Sequence, residues 1–439
     1  MQARLLLHQF VYRLRGGFLI RPVLMAIMIG MIGVALSSAE ANFPGLSAWI
    51  PNFFRSLDTQ VAETILSTIA TSIMTIVSIV FAMLLMALTL GSMQFSPRII
   101  VGFTSDGVTQ QTLGIFLGTF LYCLVTLPAI ETHPQLFVPV LTILGAMLLS
   151  LACVVWLIYF IFHISQSISV NQIIHKIARE TESMIDDMMP RPRHFSMVEK
   201  QDGPAPQEKE FPVLSNVSGY VRYIEGNRLL SLAIDNKLVI RVIRRVGNFV
   251  PAGIPVMMVS GKEEILSKEL QQELIGTFDI GPTRTLQQDI EFGILQIVDI
   301  ALKAISPAVN DPSTAITCID QLSSILIRYA SRDPQETLLA SHSGRIRVIF
   351  PPMRFHRLAE TAFEQIRLYS KTDIAVSMRM LRALQDISMT IPEHNDKLFL
   401  AELGKRIVTG NLQNLSNEEI SDILVRQSGL EELAHVHKA

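Results

Sequence analysis

Lysine is missing from the first 175 of the 439 residues, and the first 163 hold only 11 charged side chains, six arginines and five acids. The rest of the chain carries 31 of the 37 basic and 34 of the 39 acidic residues. With a mean hydropathy of +0.38, that uneven charge excludes disorder, a simple soluble enzyme and a protein that is membrane throughout. Cysteine is scarce as well. Cys123, Cys153 and Cys318 include no CxxC pair, so neither a disulfide framework nor a zinc pattern is present. Gly-rich phosphate loops, nucleophile elbows and Cys/His pairs are also lacking. A formal net charge of -2 gives no reason to expect nucleic acid. No cofactor, metal or catalytic residue is assigned.

What the first third does have is four uncharged apolar runs, at 23–39, 64–93, 112–130 and 136–162. A spanning helix needs about 20 apolar residues, because the hydrocarbon core is about 30 Å thick and a helix rises about 1.5 Å per residue. The sequence therefore predicts a four-span membrane domain over 1–163. A cleaved signal peptide is the rival reading of the first run, since Ser37-Ser38-Ala39 imitates a cleavage site. Its apolar core is too long for that, and an uncleaved helix is expected.

Arg4, Arg13, Arg15 and Arg21 precede the first run without any acid, and Lys176 and Arg179 follow the fourth. Positive charge near span ends stays on the cytoplasmic side. Both termini are expected in the cytoplasm.

The second run carries Thr64, Thr68, Thr71, Thr75 and Ser78 at spacings of four, three, four and three. This places five hydroxyls along one helical face. Such a face can line a water-filled path, or it can let helices pack closely. No acid, base or histidine lies within the four runs, which argues against a proton-coupled carrier. A pore would need several copies, so a homo-oligomer is expected. Gly114 and Gly118 form a GxxxG close-approach surface in the third run. Gln94, Phe95, Ser96, Pro97 and Arg98 lie in the connection between runs two and three and are expected to form an interfacial turn or a gate. Asp106 is placed to cap the third span.

Beyond His163 the apolar spacing predicts an amphipathic stalk over 164–189 that continues the fourth span. Prolines over 190–212 mark a linker. The region 213–261 reads as short strands between Gly, Asn and Asp, and predicts a small all-β barrel or sandwich. The piece from Val246 to Gly253 resembles half of a lipoyl/biotinyl-like hammerhead. The modified lysine of that family sits on a tight hairpin. Lys237 is the nearest lysine and lacks the family's flanks.

From 262 to 439 the pattern is helical and predicts a mainly α cytoplasmic domain. Helices are expected at 285–305, 312–329, 353–369, 372–390, 396–408 and 417–427. Between the first two stands Ser306-Pro307-Ala308-Val309-Asn310-Asp311-Pro312. Asp before Pro is a strong helix start, so Asp311 is expected to be an N-cap. Asp289, Glu291, Asp299 and Asp311 offer carboxylates for metal or acid/base work. Caps and salt bridges explain them more simply, with Arg284 the partner of Asp289.

The pieces Ser92–Arg98 (SMQFSPR), 218–224 (SGYVRYI) and 289–320 with its SPAVNDPSTA together resemble a bacterial membrane-protein family, the domain of unknown function numbered 2254 in its series. The resemblance covers nearly the whole chain. Many members read closer to ALSPGINDP. Ala304-Ile305 and Ala308-Val309 are conservative departures from that form. The resemblance implies an inner-membrane protein with an N-terminal helical region and a cytoplasmic C-terminal part. It implies no activity and no catalytic residue.

Three functions stay open at this level. One is a channel-like homo-oligomer lined by the Thr64–Ser78 face and regulated by the cytoplasmic domain. A second is a sensor or scaffold in the lipid bilayer that binds a cytoplasmic protein partner. The third is an enzyme using the Asp289–Asp299–Asp311 group.

Overall fold

A computed structural model of the chain describes residues 20–43, 50–51, 58–94, 106–131, 139–167, 169–189, 210–261, 267–332, 338–341, 344–411 and 417–435. These fall into two compact units, divided between Ser169 and Val170.

The first unit contains helices α1 (Ile20–Asn42), α2 (Thr59–Gln94), α3 (Gly107–Glu131) and α4 (Val140–Ser167). Each is long and apolar enough to cross a membrane. Observed ends differ from the expected ones because flanking polar residues join the helices. Pro139 bounds α4 at its start, where it costs no intrahelical bond. Helix α3 is central and packs against the other three. Half of its apolar window is buried, against 28% or less in each of the others. Ala62, Leu66 and Ala70 of α2 meet Tyr122, Cys123 and Ile143 in one cluster, and Ile73, Val77 and Val80 meet Leu113, Phe116 and Cys153 in the next.

The second unit opens with α5 (Val170–Met188). The expected stalk over 164–189 falls on the end of α4, at Ser167, and on α5, from Val170, with Ile168 between them outside the described residues. Helix α5 buries Ile173, Ile174, Ile177, Ala178, Thr181, Met184 and Ile185. Its partners are α8 (Ile290–Ala304) and α9 (Pro312–Ala330). The amphipathic spacing thus marks a face in the core of this unit. A glycine sets how close α5 and α8 approach, since a Cβ on Gly293 would run into the Thr181 hydroxyl.

No barrel forms from the described strands; both sheets are open. Strands β1 (Glu210–Leu214), β2 (Gly219–Ile224), β3 (Val239–Val242), β4 (Phe249–Val250) and β5 (Pro255–Ser260) come from the region read as β. Three more strands come from the region read as helical: β6 (Phe278–Gly281), β7 (Leu338–Ala340) and β8 (Ile346–Ile349). One sheet has the order β1-β5-β3-β8-β7 and the other β4-β2-β6. Strand β8 lies parallel to β3, with Ile240 opposite Val348. A pairing between strands that far apart in the chain leaves no local signal, whereas hairpins do.

The run LLSLAID, read as a strand, is the end of helix α6 (Gly226–Asp235). Leu229 and Ala233, four apart, enter the sheet core beside Val213, Ile240 and Val256. A short apolar run fits either period, and burial selected the helical one. Lys237 follows this helix with φ of 56°, in the turn leading to β3. It is not on a strand hairpin, so the hammerhead likeness does not extend to it. Helix α7 (Lys268–Ile275) is capped by Ser267, whose hydroxyl accepts from the Leu270 amide at 3.2 Å.

The remaining helices are α10 (Phe355–Tyr369), α11 (Ile374–Thr390), α12 (His394–Asn411) and α13 (Asn417–His435). Helix α8 is buried nearly all round, as expected of the central helix in a helical layer.

Candidate functional site

On α2 the hydroxyl stripe and the core face are opposite one another. Ala62, Leu66, Ile73, Val77 and Val80 are buried, while Thr64, Thr68, Thr71, Thr75 and Ser78 are all exposed. Thr64, Thr71, Thr75 and Ser78 donate back to carbonyls four residues earlier, at 2.7, 2.8, 3.1 and 3.0 Å. These four hydroxyl protons are therefore satisfied within their own helix, and the oxygens keep acceptor capacity outward. Among the described residues the stripe is left uncovered. Gln94 is the last residue of α2, and Phe95, Ser96, Pro97 and Arg98 lie outside the described residues.

The GxxxG of α3 is spent on α1. A Cβ on Gly114 would lie 2.9 Å from Met25 Cβ, and one on Gly118 would lie 2.5 Å from Ile29 Cδ1. Small residues here let two backbones approach closely. Tyr122 occupies a slot between two other glycines. A Cβ on Gly33 would stand 2.9 Å from its ring, and one on Gly145 would stand 2.5 Å from its hydroxyl. That hydroxyl donates to the Thr142 carbonyl at 3.0 Å.

Asp106 caps α3. Its carboxylate accepts from the Thr109 amide at 2.9 Å and the Thr109 hydroxyl at 2.8 Å. It also meets His163 Nε2 at 3.1 Å, with the Ser167 hydroxyl 3.4 Å from the same nitrogen. Burial pushes the Asp106 carboxyl up, but the Thr109 amide and hydroxyl and the His163 ring outweigh it and hold it below the ordinary range. One turn further in, Trp156 Nε1 donates to the buried Thr112 hydroxyl at 2.9 Å. Sequence reasoning identified the cap but missed its link to α4. The only signal was a histidine at the end of the fourth run.

In the second unit Asp289 and Glu291 share Arg284, while Asp299 and Asp311 stand apart from them. Asp289 caps α8, accepting from the Phe292 amide at 3.0 Å. Arg284 grips it with two donors at 2.7 and 2.8 Å, and the pair is nearly sealed from solvent. Glu291 joins them, with Arg284 at 3.6 Å and Arg357 donating at 2.8 Å. Burial raises the Glu291 carboxyl, but Arg357, Arg245 and Arg284 together hold it below the ordinary value. Gly247, at φ of +88°, lies against the Arg284–Asp289 pair, and a Cβ there would fall 2.5 Å from Asp289 Oδ2.

Asp299 is ten residues along α8, about 15 Å from Asp289 at 1.5 Å per residue. Asp311 lies beyond the other end of α8, its amide donating to the Ala304 carbonyl at 2.8 Å. It caps α9 by accepting from the Thr314 amide at 3.1 Å, with Pro312 in the first turn. Ser306 accepts the Asn310 amide at 2.9 Å, and Asn310 takes φ of 49° to turn the chain back. Pro307 lies exposed in that turn. The cavity of about 490 Å³ at the start of α10 is lined by Glu291, Arg354, His356 and Arg357. None of Asp289, Asp299 or Asp311 lines it. Of the carboxylates named in the sequence, Asp289 and Glu291 thus come together, whereas Asp299, further along α8, and Asp311, beyond its end, do not join them.

The family model described as "Predicted membrane protein (DUF2254)" matches residues 15–386. Among curated proteins, the uncharacterized protein Rv1290c of Mycobacterium tuberculosis is 29% identical over 332 residues, and so is the uncharacterized protein Mb1321c of Mycobacterium bovis. Each alignment covers 74% of this chain and 64% of the relative, so the chain spans just under two thirds of those proteins' length. No solved structure matches the chain. With four helices fit to cross a membrane and a family match over most of its length, this chain belongs to the DUF2254 family of predicted membrane proteins.

Proposed function

We propose that this chain is an inner-membrane protein with both termini in the cytoplasm, and that copies of it assemble around a channel-like path lined by Thr64, Thr68, Thr71, Thr75 and Ser78. The second unit is then a cytoplasmic regulatory domain. One observation carries the reading: the hydroxyl face of α2 points directly away from the core that α2 builds with α3 and α4. In a lone bundle that face would meet acyl chains, where a row of hydroxyls gains nothing over Val or Leu. Against another copy the same row allows close helix approach, and around a water-filled path it supplies acceptors without fixed charge. Arginine before the first span and Lys176 and Arg179 after the fourth support the orientation.

Cysteine substitution tests the path. Cys123, Cys153 and Cys318 are all buried, so background labelling is low. Thr71→Cys and Thr75→Cys in membrane vesicles are expected to react with a charged, membrane-impermeant thiol reagent. Leu148→Cys and Leu151→Cys on the exposed apolar face of α4 are expected not to. Unreactive positions 71 and 75 would remove the aqueous path, and short-range disulfide crosslinking at those positions would then reassign the face to dry packing between copies. A reporter fused to each terminus tests the orientation.

A further inference from the structure

Helix α12 carries Glu402, Lys405, Arg406, Thr409 and Gly410 at i, i+3, i+4, i+7 and i+8. This is the spacing of a single helical face. On a core-facing helix these positions would be apolar. Here Lys405, Arg406 and Thr409 are exposed, and the face looks across at Arg367 and Lys371, at and just beyond the end of α10. Together these residues line an open cavity of about 310 Å³. At about 30 Å³ per water molecule, that is ample for a tetrahedral oxyanion and part of what it is attached to.

The charges around this cavity do not balance. Arg367 is engaged by Glu364 through two hydrogen bonds, at 3.0 and 2.6 Å. Arg406 reaches Glu402 only at 3.8 Å. Lys371 and Lys405 have no carboxylate within 4 Å among the described residues. Four cations therefore face two acids. The ordinary role for such cations is to offset the negative ends of helices, and both α10 and α12 end here. Each helix end carries only about half an elementary charge, so a surplus of positive charge remains. A Cβ on Gly410 would make only ordinary contact, 3.6 Å from Arg367 Nη1, so the floor has room to spare. The Thr409 hydroxyl donates to the Lys405 carbonyl at 2.8 Å, so its oxygen is held in place on the same face.

We propose that this cavity between α10 and α12 binds a phosphate group, with Lys371, Lys405 and Arg406 as the principal donors and Arg367 forming the wall. Lysine supplies movable point charges and arginine a planar fork, and phosphate accepts from both. The phosphate belongs either to a free anion or to a lipid headgroup, and the two sources are separable by experiment.

The test uses the full chain in neutral detergent. Inorganic phosphate is titrated calorimetrically against chloride at matched ionic strength, so that general screening cancels. A water-soluble short-chain phosphatidic acid and the matching phosphatidylcholine form the second arm. The wild type is expected to bind phosphate, phosphatidic acid or both, in preference to chloride and phosphatidylcholine. Lys371→Gln/Lys405→Gln removes two exposed charges and is expected to weaken that binding by about tenfold or more, as loss of charge-assisted hydrogen bonds does. Lys405→Arg in the Lys371 background is expected to retain it. Binding of phosphatidic acid alone assigns the site to a headgroup, and binding of inorganic phosphate assigns it to a free anion. If neither binds, or if the double variant binds as tightly as the wild type, the proposal is overturned. Arg406→Gln gives an independent second variant should the double one lose stability.

Discussion

Glu40 and Thr142 stand 102 positions apart and meet twice: the Thr142 amide donates to Glu40 Oε2 at 3.2 Å and the Thr142 hydroxyl to the same oxygen at 3.1 Å. The Leu141 amide donates to Oε1 at 2.8 Å. A carboxylate near the end of α1 thus caps the start of α4, putting negative charge at the positive pole of that helix. Glu40 is 1% exposed, so water cannot take over its role.

Removing this cap should loosen the first unit. Glu40→Ala leaves the Leu141 and Thr142 amides without their acceptor and is expected to cost about 1–3 kcal/mol. Glu40→Gln retains one acceptor oxygen and should cost less. The midpoint of unfolding in mixed micelles with increasing sodium dodecyl sulfate measures both. An alanine variant as stable as the wild type would show that the cap is dispensable.

The contact of Gly293 with Thr181 makes α5 part of the second unit's core. Gly293→Ala drives a methyl into the Thr181 hydroxyl, which itself donates to the Ile177 carbonyl at 2.7 Å. Overpacking of this kind costs about 1–3 kcal/mol. Adding Thr181→Ala makes room, so the double variant should recover much of the loss. Thermal unfolding of the four species forms a double-mutant cycle, and additive effects would argue against a direct clash.

Asp289 serves both as a cap and as the counter-charge of Arg284. Asp289→Asn keeps the acceptor for the Phe292 amide but leaves the guanidinium, 16% exposed, with only the more distant Glu291 at 3.6 Å. Breaking a buried pair from one side costs about 3–5 kcal/mol. Asp289→Ala should cost about 1 kcal/mol more, the worth of the lost cap. Denaturant midpoints at constant slope report the order, and an asparagine variant equal to the wild type would show the pair to be worth nothing net.

Acid should weaken the seam between α5 and α9. Hydrogen bonds from Arg328 hold the Asp186 carboxyl below its ordinary range, against a smaller upward push from burial, and Arg332 adds to the lowering. Because the folded value is depressed, this contribution is complete above the unfolded value of about 3.9 and is lost as pH falls through the lower folded value. Asp186→Asn is therefore expected to lower the melting temperature at neutral pH and to flatten its fall below about pH 4. Parallel melting curves of the two proteins across that window would contradict the assignment.

Several of these relations could be read before any fold was known. Asp311 before Pro312 and Asp106 before an apolar run are local caps, and each signal lies within four residues of what it caps, whereas Asp289 caps α8 from a position expected inside a helix over 285–305. The hydroxyl period on α2 is local too. The partners of these groups are not. Nothing near Glu40 indicates Thr142, nothing near Asp106 indicates His163, and the parallel partner of β3 comes from 346–349. The run LLSLAID was ambiguous because seven apolar-rich residues satisfy a strand or a helix equally.

The amino-acid sequence alone determined that the four runs fit to cross a membrane lie in the first third and that most of the charge lies in the remainder, because the free energy of placing charge in hydrocarbon depends on composition and hardly on fold. It also determined the starts of α3 and α9, where Asp106 and Asp311 cap, since capping acts over a single turn. Tertiary structure decided the rest: that the second unit's sheets stay open, that Asp289 and Glu291 meet at Arg284 while Asp299 and Asp311 stand apart, and that the threonine face of α2 looks outward. Those outcomes depend on which distant surfaces bury one another, and burial is a property of the packed chain as a whole.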